Sequence, residues 1–243
     1  MEINLLIMLI IGCAGFVRGA VGFGDALVAM PLLAFVVPTV VSAPLMALSA
    51  MLMAGVLLVK EWKHLEFRPA AMLTVCAMVG VPAGNMILSL GSERVIKAVL
   101  GVIVFLFATW SIKRPTGILL KTNRSAPLFG FVSGVLGGAY NIAGPPLVVY
   151  STLRSWSPQQ FRSMMQAYCI AGSVWVVSFH AMNGRVTRFV LLHFVVALPV
   201  LILATMAGQR LTRNMNKDRF TVWVNICLLL SSIALLASCL SDP

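Results

Sequence analysis

Apolar residues run through this chain in stretches far longer than the single stripe of a soluble helix, and most charged positions fall in the gaps between them. Residues 3–37 form the first run, interrupted only by Arg18, Asp25 and several glycines. One membrane crossing needs roughly 20 residues. The run is therefore too long for one span and just fits two short ones, bent at Gly22–Gly24. Further spans are expected at 43–59, 69–89 and 95–112, with Gly80, Pro82 and Gly84 marking a close-packed or kinked middle in the stretch 69–89. The charged loop Lys60–Arg68 sits among these spans, and the linker Lys113–Pro127 follows them. The plan then repeats as a broken segment 127–153 and spans at 161–182, 189–209 and 220–240.

The densest interruption is Gly130–Tyr150, GFVSGVLGGAYNIAGPPLVVY. A helix loses roughly 1 kcal/mol at an interior Gly and about 3 kcal/mol at a Pro. Pro145 and Pro146 also lack an N–H, so the backbone near Gly144 cannot be continuous helix. Inside hydrocarbon, such backbone persists only where protein or a water-filled cavity satisfies its polar groups. An earlier stretch has the same build: Gly15, Phe16, Val17, Gly19, Gly22, Pro31 and Leu32 align with Gly130, Phe131, Val132, Gly134, Gly137, Pro146 and Leu147 at a constant offset of 115. Paired Gly/Pro-interrupted apolar segments point to a transporter's binding site, although the same small residues also suit close helix packing. The expected architecture is an all-α polytopic membrane protein with an inverted internal repeat. Each half opens on a broken or re-entrant Gly-rich element, giving 8 to 10 membrane segments. Residues 1–118 form the first repeat and 119–243 the second, within one transmembrane domain.

Composition agrees with this pattern. The 243 residues are 60% hydrophobic and 10% charged, against about 25% charged in an average soluble protein. The formal charge of +11 lies in short inter-span gaps, as membrane topology requires. It does not form the solvated basic face of a nucleic-acid binder. If each Gly-rich element crosses once, about nine basic residues face one side and about eight the other. If each goes in and returns, the split becomes thirteen to four, with Arg154 and Arg162 on the positive face and both termini outside. Breaking the second element alone gives the same ratio, so the first break rests on the repeat and on segment length.

Cys13, Cys76, Cys169, Cys227 and Cys239 lack CxxC spacing and read as small buried hydrophobes, with no metal or disulfide framework. No HExxH or P-loop motif occurs, and Gly172-Ser173 lacks the following Gly of a nucleophile elbow. The chain reads as a non-enzyme without cofactor. With no ATP-binding module, its energy comes from a gradient or from the solute.

A small oxyanion in a low-dielectric site needs N–H donors, which half-helix N-termini supply. Gly137, Gly138, Asn141 and Gly144, with Gly19, Gly22 and Gly24, are the candidate lining. Asn141 either donates its amide to the solute or caps a broken helix. Arg18 and Asp25 are the ionisable groups inside the first element. They neutralise each other, or Arg18 snorkels to an interface, or Arg18 attracts the anion while Asp25 takes a coupling proton. Tyr140, Gln166 and Tyr168 are near enough in sequence to reach the cavity, and equally suit interfacial anchoring. Arg154 and Arg162 read as topology signals with a vestibule role as the alternative, and His180 and His193 as packing residues.

The duplicated glycine motif followed by Pro-Leu, in a chain of this length, resembles the TauE/SafE family of membrane transporters over nearly the whole sequence. The second motif, GGAYNIAGPPLVVY with Gln160-Phe161-Arg162 beyond it, is similar to a subgroup carrying Asn-x-x-Gly-Pro-Pro. The commoner Gly-Gly-Gly form of the motif is replaced at Ala139–Asn141 and at Asp25. The resemblance implies a secondary transporter of a small anion, sulfite or an organosulfonate, multi-pass in a bacterial inner membrane. A passive anion channel and an intramembrane enzyme are the alternatives. The expected partners are the anionic solute and the lipid bilayer, with no nucleic acid; a homodimer is compatible with the chain.

Overall fold

A computed structural model describes residues 2–61, 67–113, 120, 122–212, 226, 228–230, 232–233 and 236–237. Among them the chain forms helices α1 (Glu2–Val21), α2 (Asp25–Leu33), α3 (Thr39–Glu61), α4 (Phe67–Leu90) and α5 (Glu93–Lys113). A 3₁₀ turn at Asn123–Ser125 then leads into α6 (Ala126–Tyr140), α7 (Gly144–Leu153), α8 (Pro158–Met182) and α9 (Arg188–Thr212). The described residues contain no strand. The expected span 220–240 lies largely outside the described residues.

Among the described residues, five helices are long and apolar enough to cross a membrane: Asn4–Val21, Thr39–Val59, Arg68–Leu90, Glu93–Ser111 and Arg188–Leu211. Their outward faces carry large exposed apolar residues such as Leu5, Val79, Leu106 and Leu203. A contiguous apolar surface of that kind is what a bilayer covers. At 25 residues α8 has the length but is more polar, and its Ser163, Gln166 and His180 point inward, fully buried. It starts on a capping box: Ser157 Oγ accepts the Gln160 N–H (3.3 Å), and Gln160 Oε1 accepts the Ser157 N–H (2.9 Å).

Both interrupted segments are broken. The first breaks at Gly22–Gly24, where φ is +92° at Gly22 and +94° at Gly24, a region that side chains disfavour. The second breaks at Asn141–Ala143, one helical turn beyond the Gly137 that the 115-residue offset pairs with Gly22. Asn141, at φ +56°, closes α6 by donating its N–H to Gly137 O (2.9 Å), and Ile142 donates to Leu136 O (3.2 Å). The Asn141 bond is the single 5→1 bond of an αL helix ending, with Asn in the left-handed position. Pro145 and Pro146 sit in the first turn of α7, where a missing N–H costs little.

Glycine-lined contacts set the packing. Gly130, Gly134 and Gly138 of α6 lie against Leu73, Ala77 and Val81 of α4, while Gly80 and Gly84 of α4 lie against Phe131 and Val135. The registers advance together, so α4 and α6 run parallel. In the same way Gly15 and Gly19 of α1 meet Leu201 and Thr205 of α9, Gly208 meets Phe16, and Asn4 Oδ1 meets His193 Nε2 at 3.0 Å. Thus α1 and α9 also run parallel. Backbones this close gain dispersion and Cα–H···O contacts that lipid cannot supply. The pairing is reciprocal, because the first helix after each start packs on the fourth helix of the other half.

The far end of α7 returns to the start of α6. Leu120 donates its N–H to Leu153 O (2.8 Å), Arg154 Nη1 donates to Leu120 O (2.8 Å), and Tyr150 Oη donates to Asn123 Oδ1 (3.2 Å). The second broken element is therefore a helical hairpin whose two ends share a face.

Candidate functional site

The two breaks face a common cavity beside α8, bounded by Arg18, Asp25, Asn141, Gly144, Tyr168 and Ser173 among others. Its volume, taken over the centres of water-sized molecules, is about 50 Å³. A single water needs roughly 10–15 Å³ on that measure, so the space suits a cluster of waters or an anion of a few heavy atoms. Apolar side chains, including Phe23, Leu27, Met78, Val81, Met165 and Val176, make up most of the remaining wall.

The wall contains the first turn of α2, namely Asp25, Ala26 and Leu27. The first N–H groups of a helix have no partner within it, and no side chain caps this end. The facing start of α7 offers less, because Pro145 and Pro146 have no N–H to give.

Arg18 and Asp25 are 2% and 5% exposed, so solvent does little to screen them. Arg18 Nη1 donates to Asp25 Oδ1 at 2.8 Å, and Nη2 donates to Gln166 Oε1 at 2.9 Å. Gln166 Nε2 in turn donates to Gly22 O at 2.8 Å, and Arg162 Nη2 donates to Ala20 O at 2.9 Å. The first break is therefore strapped to α8 by two side chains of that helix. Phe23 adds an edge-to-face contact with Phe161 at 5.5 Å. Arg18 Nε and Asp25 Oδ2 are buried without a hydrogen-bond partner. The pair thus leaves one donor of Arg18 and one acceptor of Asp25 unused.

The second break is tied differently. Ser133 Oγ donates to Ala143 O at 2.7 Å and lies 2.9 Å from Tyr168 Oη. Tyr168, Cys169, Gly172, Ser173 and Val176 of α8 all line the cavity.

The residues expected at the site divide by location. Arg18, Gly24, Asp25, Gly137, Asn141, Gly144 and Tyr168 line the cavity. Gln166 and Gly22 stand behind it in the Arg18 network. Gly19 and Gly138 lie on helix contacts, against Thr205 and Val81. Tyr140 is buried with its hydroxyl unpartnered. Arg154 holds the linker, Arg162 holds the first break, and His193 bonds Asn4. Ser133, Cys169 and Ser173 were not anticipated. A signal for two of them was present: Arg162, Gln166, Cys169 and Ser173 repeat at helical spacing and mark one polar stripe on α8.

Residues 7–235 match the family model described as Sulfite exporter TauE/SafE. The chain belongs to the TauE/SafE family. It is therefore, at the level of the family, a membrane transporter. A curated relative, the probable sulfite/organosulfonate exporter TauE of Cupriavidus necator, is 22% identical over 211 residues, covering 83% of this chain and 81% of the relative. No solved structure matches this TauE/SafE chain.

Proposed function

We propose that this TauE/SafE protein is a secondary carrier of a small sulfur oxyanion, sulfite or a short organosulfonate, held in the cavity between the two breaks. The observation that carries the reading is the cavity itself, where one buried guanidinium, the uncapped start of α2 and Asn141 converge. In the structure Asp25 occupies Arg18 Nη1. A proton on Asp25 would release that donor to an incoming anion, so proton and anion enter together. The family description and the name of the Cupriavidus necator relative support the choice of anion.

The binding test is a thermal-shift series on purified protein with sulfite, sulfate, thiosulfate and short organosulfonates. A ligand at 100 times its Kd stabilises the folded state by about 2.7 kcal/mol, so sulfite is expected to raise Tm with concentration. A flat response to every anion would end the reading. For the proton, Asp25→Asn is expected to bind and transport a short organosulfonate, whose own charge is constant across neutral pH, with no dependence on pH, while the unsubstituted protein gains affinity as pH falls. Retention of the original pH profile by the variant would remove Asp25 from the coupling.

The same reading makes the halves inverted repeats. In support, α1 is parallel to α9, and α4 is parallel to α6. The contacts Trp175–Met78 and Arg185–Asn85 set α8 parallel to α4. Since the short connection 183–187 turns α9 back from α8, α1 runs opposite to α6. Loop charge then puts the linker, Arg68, Arg154 and Arg210 on the cytoplasmic face and both termini outside. A C-terminal reporter is expected to be active on the outer side, and activity in the cytoplasm would reverse this topology.

A further inference from the structure

Beyond the central cavity the α8 stripe continues about two turns past Ser173 to His180, and the adjoining space opens at the other end of the helix. Val81, Val176 and Ala47 pack together from α4, α8 and α3, and two of them, Val81 and Val176, also line the central cavity. One turn past Val81, Asn85 is 3% exposed, and its Oδ1 accepts from Arg185 Nη1 at 3.1 Å. Arg185 also bonds Ser89. Beyond this lies a second cavity of about 370 Å³, lined by Thr39, Ser89, Glu93, Asn183 and Arg185 together with apolar neighbours.

Three features of this second cavity suit an anion. The starts of α3 at Thr39 and of α5 at Glu93 both reach it, bringing two helix N-termini together. Thr39 is one of its lining residues, is 1% exposed, and its Oγ1 is buried without a hydrogen-bond partner. Partial burial pulls the Arg185 guanidinium below its ordinary pKa, the mark of a cation short of water that a counter-charge would relieve. One carboxylate competes, that of Glu93, which is 3.3 Å from Lys97 and so partly neutralised.

We propose that the Thr39–Arg185 cavity is a second oxyanion station, outside the central one and separated from it by the apolar layer of Ala47, Val81 and Val176. The proposal rests on the carrier reading above and gives it a route: the solute crosses the valine layer and pauses at Arg185 before release beside the α8–α9 connection. An apolar constriction between two polar stations blocks free ion flow, because a bare anion among valines has no donor. His180, 0% exposed with both ring nitrogens unpartnered, stands next to the layer on the α8 face.

The test uses the full chain, in detergent for thermal shift and in proteoliposomes for radiolabelled sulfite counterflow. Thr39→Val deletes one hydroxyl from a nearly unchanged shape, and Arg185→Gln removes the charge. Losing a hydrogen bond to a charged ligand weakens binding roughly tenfold or more. Each variant is expected to raise the half-saturating sulfite concentration for counterflow by about that factor, with Arg185→Lys recovering part of it. The sulfite-induced Tm shift, reporting the central cavity, is expected to stay within about twofold of the original concentration dependence. Should Arg185→Gln fail to fold, Thr39→Val and Arg185→Lys decide the matter. Unchanged half-saturation in the folded variants overturns the second station, and so does a matching loss of counterflow and Tm shift, which would mean a single site. If the unsubstituted protein shows neither response, the carrier reading itself fails and takes this station with it.

Discussion

Gly134→Ala is expected to cost this protein most of its folded yield. A methyl group at Gly134 would stand 2.6 Å from Ala77 Cα and closer still to the Ala77 carbonyl, and both are backbone atoms that no rotamer change can move. Relief requires α4 and α6 to separate along the ridge formed by Gly130, Gly134 and Gly138. Overpacking commonly costs 1–3 kcal/mol, and occasionally more. The upper end applies, since parting the helices loosens several backbone contacts together. Gly55→Ala is the control, because nothing lies within 4 Å of a methyl group there. Exchanging Gly for Ala inside α3 should then be neutral or stabilising by up to about 1 kcal/mol. Size-exclusion profiles and Tm of the two variants provide the comparison. Equal behaviour would show that the α4–α6 contact is looser than described.

The second large effect belongs to the buried pair. Arg18→Gln leaves the Asp25 carboxylate without its cation in a place where water does not reach, and breaking a buried pair from one side costs about 3–5 kcal/mol. Arg18→Gln with Asp25→Asn removes both charges and is expected to recover much of that loss. Neutral replacement of an ion pair is often close to energetically neutral. The coupling read from the double-mutant cycle should be at least about 2 kcal/mol. A double variant no more stable than Arg18→Gln would mean that the pair does not hold the first break. Sulfite binding separates stability from function, since the refolded double variant should still lack the solute response for want of Arg18.

Much of this was legible in the residues themselves. Both interruptions could be read from glycine and proline, because a helix in hydrocarbon has few other ways to stop. The Arg18–Asp25 pair was one of the three readings open, since a lone buried charge is too costly to leave unmatched. The place of the second break was legible from Pro145 and Pro146, which rule out continuous helix near Gly144, but not from the repeat. Pairing Gly22 with Gly137 assumed that matched glycines do matched work, whereas α6 uses Gly130, Gly134 and Gly138 against α4 and ends only at Asn141. The aligned prolines diverge for the same reason: Pro31 lies in the last turn of α2, while Pro146 is in the first turn of α7. Long-range partners were also out of reach. Nothing local to Gln166 announces Gly22, 144 residues away, although the polar stripe on α8 marked the face on which such a partner would be met.

The crosswise embrace of α1 with α9 and of α4 with α6 has a mechanical corollary. Each tightly knit pair borrows one helix from the front of the chain and one from the back, so the two sequence halves cannot swing apart as separate jaws. Any rocking that exposes the cavity to alternate sides must move these mixed pairs as rigid bodies, with α8, laced to both breaks, as the spindle between them.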